Sequence, residues 1–386
     1  MRILLLRTEP FDGSLESYFF ERLIRVFAQP AFADLLNCRL VTRGGGSWRE
    51  VLEGQDWGDP DGVVAAEDGQ AFRRSPSPPL RELPFRRVFD FTSTKKLRDE
   101  IAVFQPDLIL AWDAMALKTL PKDLPMPVVG VLSDYLDLSL YQDCGRLLAL
   151  SVDLLAFATE EGWPPALIER APLFSLGRET GACSRRLYDT QDEDFLLVTA
   201  PLKPRDKALD YLFEALDELP EAVLWVPLVE PAPRSLLRLL AEDELGERIR
   251  LIEAENHISL FAAADVIVLA RETDALGLGV IEAWAHAKPV IAVGAPGPGS
   301  LIKQAKSGLL TPPGEPAELA KAVRRLIEDP LFYDRLGSAG RQIYQQSYSQ
   351  ARCLEYWLAL LHKVAGIYPG APAPPQVNEP RMDLTV

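Results

Sequence analysis

The sequence predicts an α/β protein of two Rossmann-like domains, each a doubly wound parallel sheet, which face each other across a cleft. Short runs of Leu, Ile and Val alternate with longer amphipathic stretches along most of the chain, the pattern of βαβ units. The 386 residues exceed what one hydrophobic core ordinarily holds. The alternation stops in a polar stretch over residues 177–194 and then resumes, which indicates a second domain.

The first domain is predicted over residues 1–185. Its expected elements are, in order, strand RILLLR, helix SLESYFFERLIRVFAQ, strand NCRLVTR, strand RRVFDF, helix STKKLRDEIAVF, strands DLILAW, PVVGVL and DLLAFA, and helix TEEGWPPALIER. Residues 44–84 break the alternation because they are rich in Gly, Pro and Ser. They predict a long irregular insertion.

The second domain is predicted over residues 186–346. Its expected elements are strand FLLVTAP, helix KALDYLFEALDEL, strand AVLWVPLV, helix SLLRLLAEDEL, strand RIRLIE, helix HISLFAAA, strand DVIVLA, a helix after RETDALG, strand KPVIAV, a Gly-rich loop VGAPGPGSL, the segment GLLTPP and helix PAELAKAVRRLIED. A helix over residues 347–368 is expected to cross back to the first domain. Residues 369–386 are rich in Pro and predict a disordered tail.

Composition narrows the class of protein. A formal net charge of −15 argues against general binding to nucleic acid or to an anionic membrane. The four cysteines have no CxxC spacing, and no apolar run is long enough for a signal-peptide core or a bilayer span. The aromatic helix SYFFERLIRVF fits a core face better than a membrane contact, because it also carries acids. A cytoplasmic protein is therefore expected.

The stretch RETDALGLGVIEAWAHAKPV places two carboxylates around glycines where a strand gives way to a helix. Asp274 lies just before the expected helix and Glu282 about one turn inside it. Gly277 and Gly279 allow backbone amides to approach a ligand, and a helix N-terminus favours an anion. The pattern suits a ligand with phosphate and hydroxyl groups. Alternatively, Asp274 is a helix cap with no ligand.

A basic segment follows the first strand of the second domain. PLKPRDKALDYLFEAL places Lys203, Arg205 and Lys207 between a strand and a helix. Cations in this position can neutralise a departing diphosphate. A solvated basic loop is the alternative. A third candidate is the loop VGAPGPGSL, whose glycines permit backbone contacts with a ligand.

These segments, in this order, resemble the C-terminal half of the retaining GT-B glycosyltransferases of family GT4 (glycosyltransferase group 1). The resemblance rests on DALGLGVIEAWAHAKPVIAVGAPGPGS, SGLLTPPGEPAELAKAVRRLIEDP and the basic segment, and it covers Phe195 to Gln345. Over Met1 to Arg178 it is much weaker, and only MRILLLRTEPFDG, FQPDLILAWDA and MPVVGVLSDY match loosely.

The resemblance implies roles for individual residues. Glu282 would hold the ribose of the nucleotide, Asp274 would contact sugar hydroxyls near the anomeric carbon, and Lys207 would contact the diphosphate. The remaining donor-binding candidates are Lys203, Arg205, Leu276, Gly277, Leu278, Gly279, Gly299 and Ser300. Acceptor-side candidates are Gly13 and Ser14, in a loop expected to close over the phosphate or acceptor, with Ser133 and Asp134.

Several positions depart from the family's pattern. The first acid is Asp in place of Glu, which shortens its reach, and Pro201 stands where an arginine for the phosphate is expected. Lys203 or Arg205 can substitute for that arginine. Further departures are Ser133-Asp134 in place of a His-Asp pair, Ala287 in place of Gly and Ser300 in place of Glu.

The sequence thus predicts a retaining, metal-independent glycosyltransferase without a cofactor, whose donor is a UDP-, GDP- or ADP-linked sugar. The acceptor is an unidentified saccharide, lipid or protein, and no nucleic acid is expected. The histidines His257, His286 and His362 lack the spacing of a zinc site. Two alternatives stay open: a GT-B sugar-nucleotide epimerase, and a nucleotide-sugar-binding or scaffold protein that has lost turnover.

Overall fold

The computed structural model describes residues 1–9, 12–27, 35–42, 89–90, 93–175, 181–242, 244–253 and 257–366. The predicted insertion over residues 44–84 and the predicted tail over residues 369–386 lie outside the described residues.

The first domain contains a parallel sheet of seven strands in the order β3-β2-β1-β4-β5-β6-β7. The strands are β1 Arg2–Arg7, β2 Asn37–Thr42, β3 Phe89–Asp90, β4 Leu108–Ala111, β5 Val128–Leu132, β6 Arg146–Ala149 and β7 Ile168–Arg170. The described helices are α1 Leu15–Phe27, α2 Thr94–Phe104, α3 Ala114–Thr119 and α4 Val152–Glu160.

The second domain contains a parallel sheet of six strands in the order β10-β9-β8-β11-β12-β13. The strands are β8 Phe195–Thr199, β9 Ala222–Leu228, β10 Ile249–Glu253, β11 Val266–Leu269, β12 Val290–Val293 and β13 Leu309–Thr311. The helices are α5 Ala208–Asp217, α6 Arg234–Glu242, α7 His257–Ala263, α8 Leu278–Ala285, α9 Pro296–Leu301, α10 Pro316–Glu328 and α11 Pro330–Ile343, and α12 Gln350–Val364 follows.

The predicted pair of doubly wound parallel sheets is confirmed. Central strands such as β4, β11 and β12 are buried along their whole length, because helices cover both faces of a parallel sheet. Such strands therefore appear in the sequence as unbroken apolar runs. Helix α2 begins where the Ser93 side chain accepts a hydrogen bond from the amide of Lys96, and it ends at Gln105, whose φ is 48°.

Three predicted elements are wrong. DLLAFA is not a strand but lies within helix α4, which Ser151 caps by accepting from the amide of Leu154. TEEGWPPALIER is not a helix, since Pro164 and Pro165 interrupt it before the short strand β7. VGAPGPGSL is not an open loop, because Pro296 opens the short helix α9.

Helix α12 packs against the first domain. The indole Nε1 of Trp357 donates to the carbonyl of Pro172 at 2.8 Å, and the Trp357 ring meets Phe27 of α1 edge to face at 6.2 Å between centroids. The ammonium of Lys363 forms an ion pair with Glu169 in β7. The chain therefore returns from the second sheet to the first before its described part ends. Within the described residues, no helix is long and apolar enough to cross a membrane.

Candidate functional site

The strand order of the second sheet reverses between β8 and β11, and polar loops follow both strands. Ligands bind at such a reversal in open parallel sheets, outside the carboxyl ends of the strands. The loop after β8 carries Lys203, Arg205 and Lys207, and all three side chains are exposed. The loop after β11 carries Arg271 and Asp274. The fold therefore brings the two predicted motifs together at one edge of the sheet.

Lys207 lies at the start of helix α5 and Asp206 fixes the turn before it. One carboxylate oxygen of Asp206 accepts from the amide of Ala208 at 3.1 Å, and the other lies 3.3 Å from Nε of Arg271. Among the described residues, Lys203, Arg205 and Lys207 have no ion-pair partner. Three cationic groups thus remain available to an anionic ligand.

The carboxylate of Asp274 closes the turn that precedes helix α8. Its Oδ1 accepts from the amide of Leu276 at 3.1 Å and from the amide of Gly277 at 2.8 Å. The N-cap of α8 is Gly277, without a side-chain hydrogen bond, so Asp274 is not the helix cap that the alternative expected. Burial raises the pKa of the Asp274 carboxyl above its ordinary value, although the two amides and Arg271 oppose that shift.

The raised pKa of Asp274 predicts how stability depends on pH. A group whose pKa is higher in the folded state stabilises the fold at low pH, and this contribution is lost as the pH rises through the folded value. Asp274→Asn keeps an oxygen for the two amides and removes the charge. We expect the variant to melt at a higher temperature than the wild type at pH 7, with the gap narrowing as the pH falls toward 4. Thermal unfolding of both proteins across this range checks it, and a wild type that melts higher at pH 7 would contradict it.

Two glycine-containing segments pack backbone to backbone beside Asp274. Gly277 has a φ of 66° directly before helix α8, and the amide of Gly297 donates to the carbonyl of Asp274 at 2.8 Å. Gly279 faces inward, where an added Cβ would lie 2.7 Å from a methyl of Leu269. Leu278 is buried as well. Close packing, rather than open access to a ligand, requires Gly277, Gly279 and Gly297.

Gly297→Ala is expected to destabilise the protein, because its Cβ would lie 2.5 Å from the carbonyl oxygen of Asp274 and 2.6 Å from the amide of Gly277. Both obstacles are backbone, so we expect a loss of about 1–3 kcal/mol in the free energy of unfolding. Gly299→Ala is the matched control, since no atom lies within 4 Å of its added Cβ. Urea unfolding compares the two variants, and equal midpoints would refute the packing role of Gly297.

Glu282 lies on helix α8 and is completely buried. Its Oε2 accepts a hydrogen bond from the hydroxyl of Ser175, which follows strand β7 of the first domain, at 3.2 Å. Arg22 of helix α1 also interacts electrostatically with it. The second predicted carboxylate therefore lies where the two domains meet and not on an open surface.

Contacts across the cleft join the predicted donor and acceptor sides. The hydroxyl of Ser300 donates to Asp153 of helix α4 at 2.6 Å. Gly13, with a φ of 72°, lies against Val229, which follows strand β9, so that an added Cβ would be 3.3 Å from two Val229 atoms. Asp134 is near enough to Asp274 to oppose its ionisation. The loop of Gly13 and the carboxyl end of β5 thus both face the second domain.

The acceptor-side candidates differ in their local roles. Ser14 accepts from the amide of Ser17 at 3.2 Å at the start of helix α1. Asp134 is exposed and accepts from the amide of Tyr135, whereas Ser133 is partly buried and joins strand β5 to it. Gly299 in α9 donates its amide to Ala295 within the helix, so this amide is already used.

Carboxylates that sequence reasoning did not select also lie at the carboxyl ends of first-domain strands. Asp113, directly after β4, accepts from the amide of Thr8 at 2.7 Å, from its hydroxyl at 2.6 Å and from the amide of Glu9 at 3.3 Å. Burial and the neighbouring Asp113 raise the pKa of Glu9. Their positions after β4 and β1 were visible in the sequence, but isolated acids carry no motif.

The histidine at the end of helix α8 is buried and lies among basic side chains. His286 ends helix α8, and burial together with Lys288 and Arg341 lowers its pKa to about 4. Its Nε2 is buried without a hydrogen-bond partner in the described part of the chain. Among the described residues, no three His, Cys, Asp or Glu side chains are grouped so that they could hold a metal ion.

Known proteins resemble both the sequence and the fold. Residues 185–343 match the family model described as glycosyl transferases group 1. The lipopolysaccharide core biosynthesis glycosyltransferase LpsD of Rhizobium meliloti is 26% identical over 346 residues, which cover 87% of this chain and 95% of LpsD. The alpha-D-kanosaminyltransferase of Streptomyces kanamyceticus is 25% identical over 191 residues, 48% of this chain and 47% of that enzyme.

Solved structures share the two-domain architecture. Anabaena HepE in complex with UDP-glucose superposes with a TM-score of 0.71 at 18% identity, over 94% of this chain and all of HepE. Sucrose-phosphate synthase of Thermosynechococcus elongatus superposes with a TM-score of 0.72 at 16% identity, over 95% of this chain and all of the synthase chain. At these identities the likeness concerns the fold.

The two facing parallel sheets define a protein of the GT-B class. Its second domain matches glycosyl transferases group 1, as the resemblance predicted for that half of the chain, and the similarity to LpsD, a glycosyltransferase, extends over both domains.

Sequence reasoning missed three polar residues of this region. Arg271 is the second residue after β11, and this position at the carboxyl end of a strand was visible in the sequence. Ser175 and Asp153 are found only through their contacts with the other domain, because nothing in their own segments marks them.

Proposed function

We propose that this protein is a GT4-type retaining glycosyltransferase that needs no metal ion and transfers a sugar from a nucleoside diphosphate to a saccharide acceptor. The observation that carries the proposal is the group of exposed cations after β8, beside the start of helix α8, where the strand order reverses. A diphosphate is the ligand chemistry that such a group suits. The structure of HepE with UDP-glucose supports a nucleotide sugar as donor.

The positions of the two motif carboxylates support retention without a side-chain nucleophile. Asp274 is engaged with two amides, and Glu282 is enclosed by the first domain. In the proposed step the bond from the anomeric carbon to the β-phosphate oxygen breaks, while the acceptor oxygen bonds to that carbon on the same face. The acceptor proton passes to the leaving phosphate. Lys207 and its neighbouring cations stabilise the charge that develops there, which removes the need for a metal ion.

Carboxylates of the first domain support a saccharide as the acceptor. Glu9, Asp113 and Asp134 lie at the carboxyl ends of its strands, and carboxylates accept hydrogen bonds from sugar hydroxyls. The match to LpsD extends over nearly its whole length and therefore includes the first domain. We accordingly propose an oligosaccharide of the lipopolysaccharide-core type.

The decisive experiment combines UDP-, GDP- and ADP-sugars with lipopolysaccharide-core oligosaccharides and follows the product by NMR. We expect transfer to one acceptor, with the anomeric configuration of the donor kept and with the rate unchanged by EDTA. An inverted linkage would overturn the retaining outcome, and loss of activity in EDTA would overturn metal independence. If the donor sugar is epimerised in the absence of an acceptor, the protein is instead a sugar-nucleotide epimerase. If the donor binds but is transferred to no acceptor, the protein is instead a nucleotide-sugar-binding or scaffold protein.

A further inference from the structure

Arg271 lies at the same strand reversal as the predicted cations. It is the second residue after β11, and its side chain is half exposed. Its Nε lies 3.3 Å from the carboxylate of Asp206, within the loop that carries Lys203, Arg205 and Lys207. The two terminal nitrogens of its guanidinium have no partner among the described residues, so their paired donors remain available.

The strand register places Arg271 beside the position that lacks the expected arginine. In the parallel pair of β8 and β11, Val268 lies opposite Thr199. Continuing this register by two residues sets Ala270 opposite Pro201, where the family pattern expects arginine. Adjacent strands are about 4.8 Å apart. Arg271 is the next residue after Ala270. Its long side chain is therefore close enough to reach the space that an arginine at position 201 would occupy.

Contacts on either side hold Arg271 between the two helix starts of the site. Asp206 is itself fixed by the amide of Ala208 at the start of α5, so it orients the guanidinium through Nε. On the other side, Arg271 interacts electrostatically with Asp274, whose carboxylate accepts from the amides of Leu276 and Gly277 in the turn before α8. Arg271 therefore lies between the start of α5, which follows Lys207, and the turn that precedes α8.

We propose that Arg271 binds the diphosphate of the nucleotide donor through its two terminal nitrogens and replaces the arginine that is absent at Pro201. The inference rests on the proposed function, because it assigns a ligand to the same site. Arginine offers two parallel donors that match two phosphate oxygens, a geometry that an ammonium group does not reproduce. Lys203 and Arg205 then act as accessory charges and not as the replacement.

The test measures binding of UDP, GDP, ADP and the matching monophosphates to the full-length protein by isothermal titration calorimetry. We expect Arg271→Gln to weaken binding of the preferred diphosphate about tenfold or more, as for loss of hydrogen bonds to a charged group. Binding of the monophosphate should change less. Arg271→Lys should recover only part of the affinity, because it restores the charge without the paired donors.

Arg238→Gln is the matched control. It removes the same charge from an exposed arginine that pairs with Glu242 on α6, and it should bind as the wild type does. Unchanged diphosphate affinity in Arg271→Gln, or full recovery in Arg271→Lys, would overturn the assignment of Arg271 while the proposed function stands. A wild-type protein that binds none of the three diphosphates would overturn both.

Discussion

Lys207→Ala is expected to lower the rate of sugar transfer by about 10²- to 10³-fold, the usual cost of removing one group that stabilises transition-state charge. Lys207 immediately precedes helix α5, its side chain is exposed, and no residue in the described part of the chain forms an ion pair with it. The substitution therefore removes a charge from the proposed diphosphate site without removing a side-chain ion pair within the described residues.

Initial rates with the preferred nucleotide sugar, together with the melting temperature, measure this effect. Lys321→Ala is the control, because it removes a lysine from the exposed face of α10, where its partner is Glu318. We expect it to retain wild-type activity, and we expect both variants to keep the wild-type melting temperature. Wild-type turnover in Lys207→Ala would remove Lys207 from the mechanism.

Glu282→Ala is expected to lower the rate of sugar transfer by orders of magnitude and also to destabilise the protein. The loss of stability is expected because the Glu282 carboxylate is inaccessible to solvent and accepts a hydrogen bond from Ser175. Its loss leaves a buried hydroxyl without its acceptor, at a cost of about 1–3 kcal/mol, and leaves a cavity as well. Glu282 thus differs from Lys207, whose removal affects the chemistry alone.

Glu282→Gln and Ser175→Ala separate the two effects. Glutamine keeps the volume and an oxygen for Ser175 but loses the charge, so we expect it to retain most of the stability and little of the activity. Ser175→Ala removes the hydrogen bond and leaves the carboxylate, so it should lose stability and keep most of its turnover. Wild-type kinetics in a folded Glu282→Gln protein would rule out the ribose-binding role.

The burial of Glu282 has a consequence for how a donor enters. A ribose hydroxyl can reach this carboxylate only if the segment of Ser175 moves away from helix α8. The hydroxyl of Ser300 and the carboxylate of Asp153 form a second link between the domains on the same side. If Glu282 holds the ribose, as the resemblance implies, donor binding requires the contact between Ser175 and Glu282 to open.

Local sequence patterns predicted most of the fold because they depend on near neighbours. Capping serines, apolar strands and amphipathic helices all act within one or two turns. The segment DLLAFA misled because a short apolar run fits a buried strand or a buried helix equally well. The hydrogen bond from the amide of Leu154 to the side chain of Ser151 marks the start of helix α4, of which only Leu154 and Ala158 are buried.

The order of the elements predicts where the candidate site residues lie in the fold, but not how their side chains are oriented. That Lys207 and Asp274 follow neighbouring strands at the carboxyl edge could be inferred from the order of elements. That the Asp274 carboxylate turns back onto the amides of Leu276 and Gly277, in the turn before the helix, could not be predicted from this order. Aspartate is one methylene shorter than glutamate, and the final direction of its side chain depends on the packing of Gly297 against the same turn.

The sequence by itself determined two parallel α/β domains, the group 1 type of the second, and the loops that carry its charged residues. Only the tertiary structure decided which of these residues meet across the domains. Ser175 and Glu282 are 107 positions apart, and Asp153 and Ser300 are 147 positions apart. Such contacts depend on how the two sheets are placed relative to each other, a placement set by packing over the whole interface and not by any local run of residues.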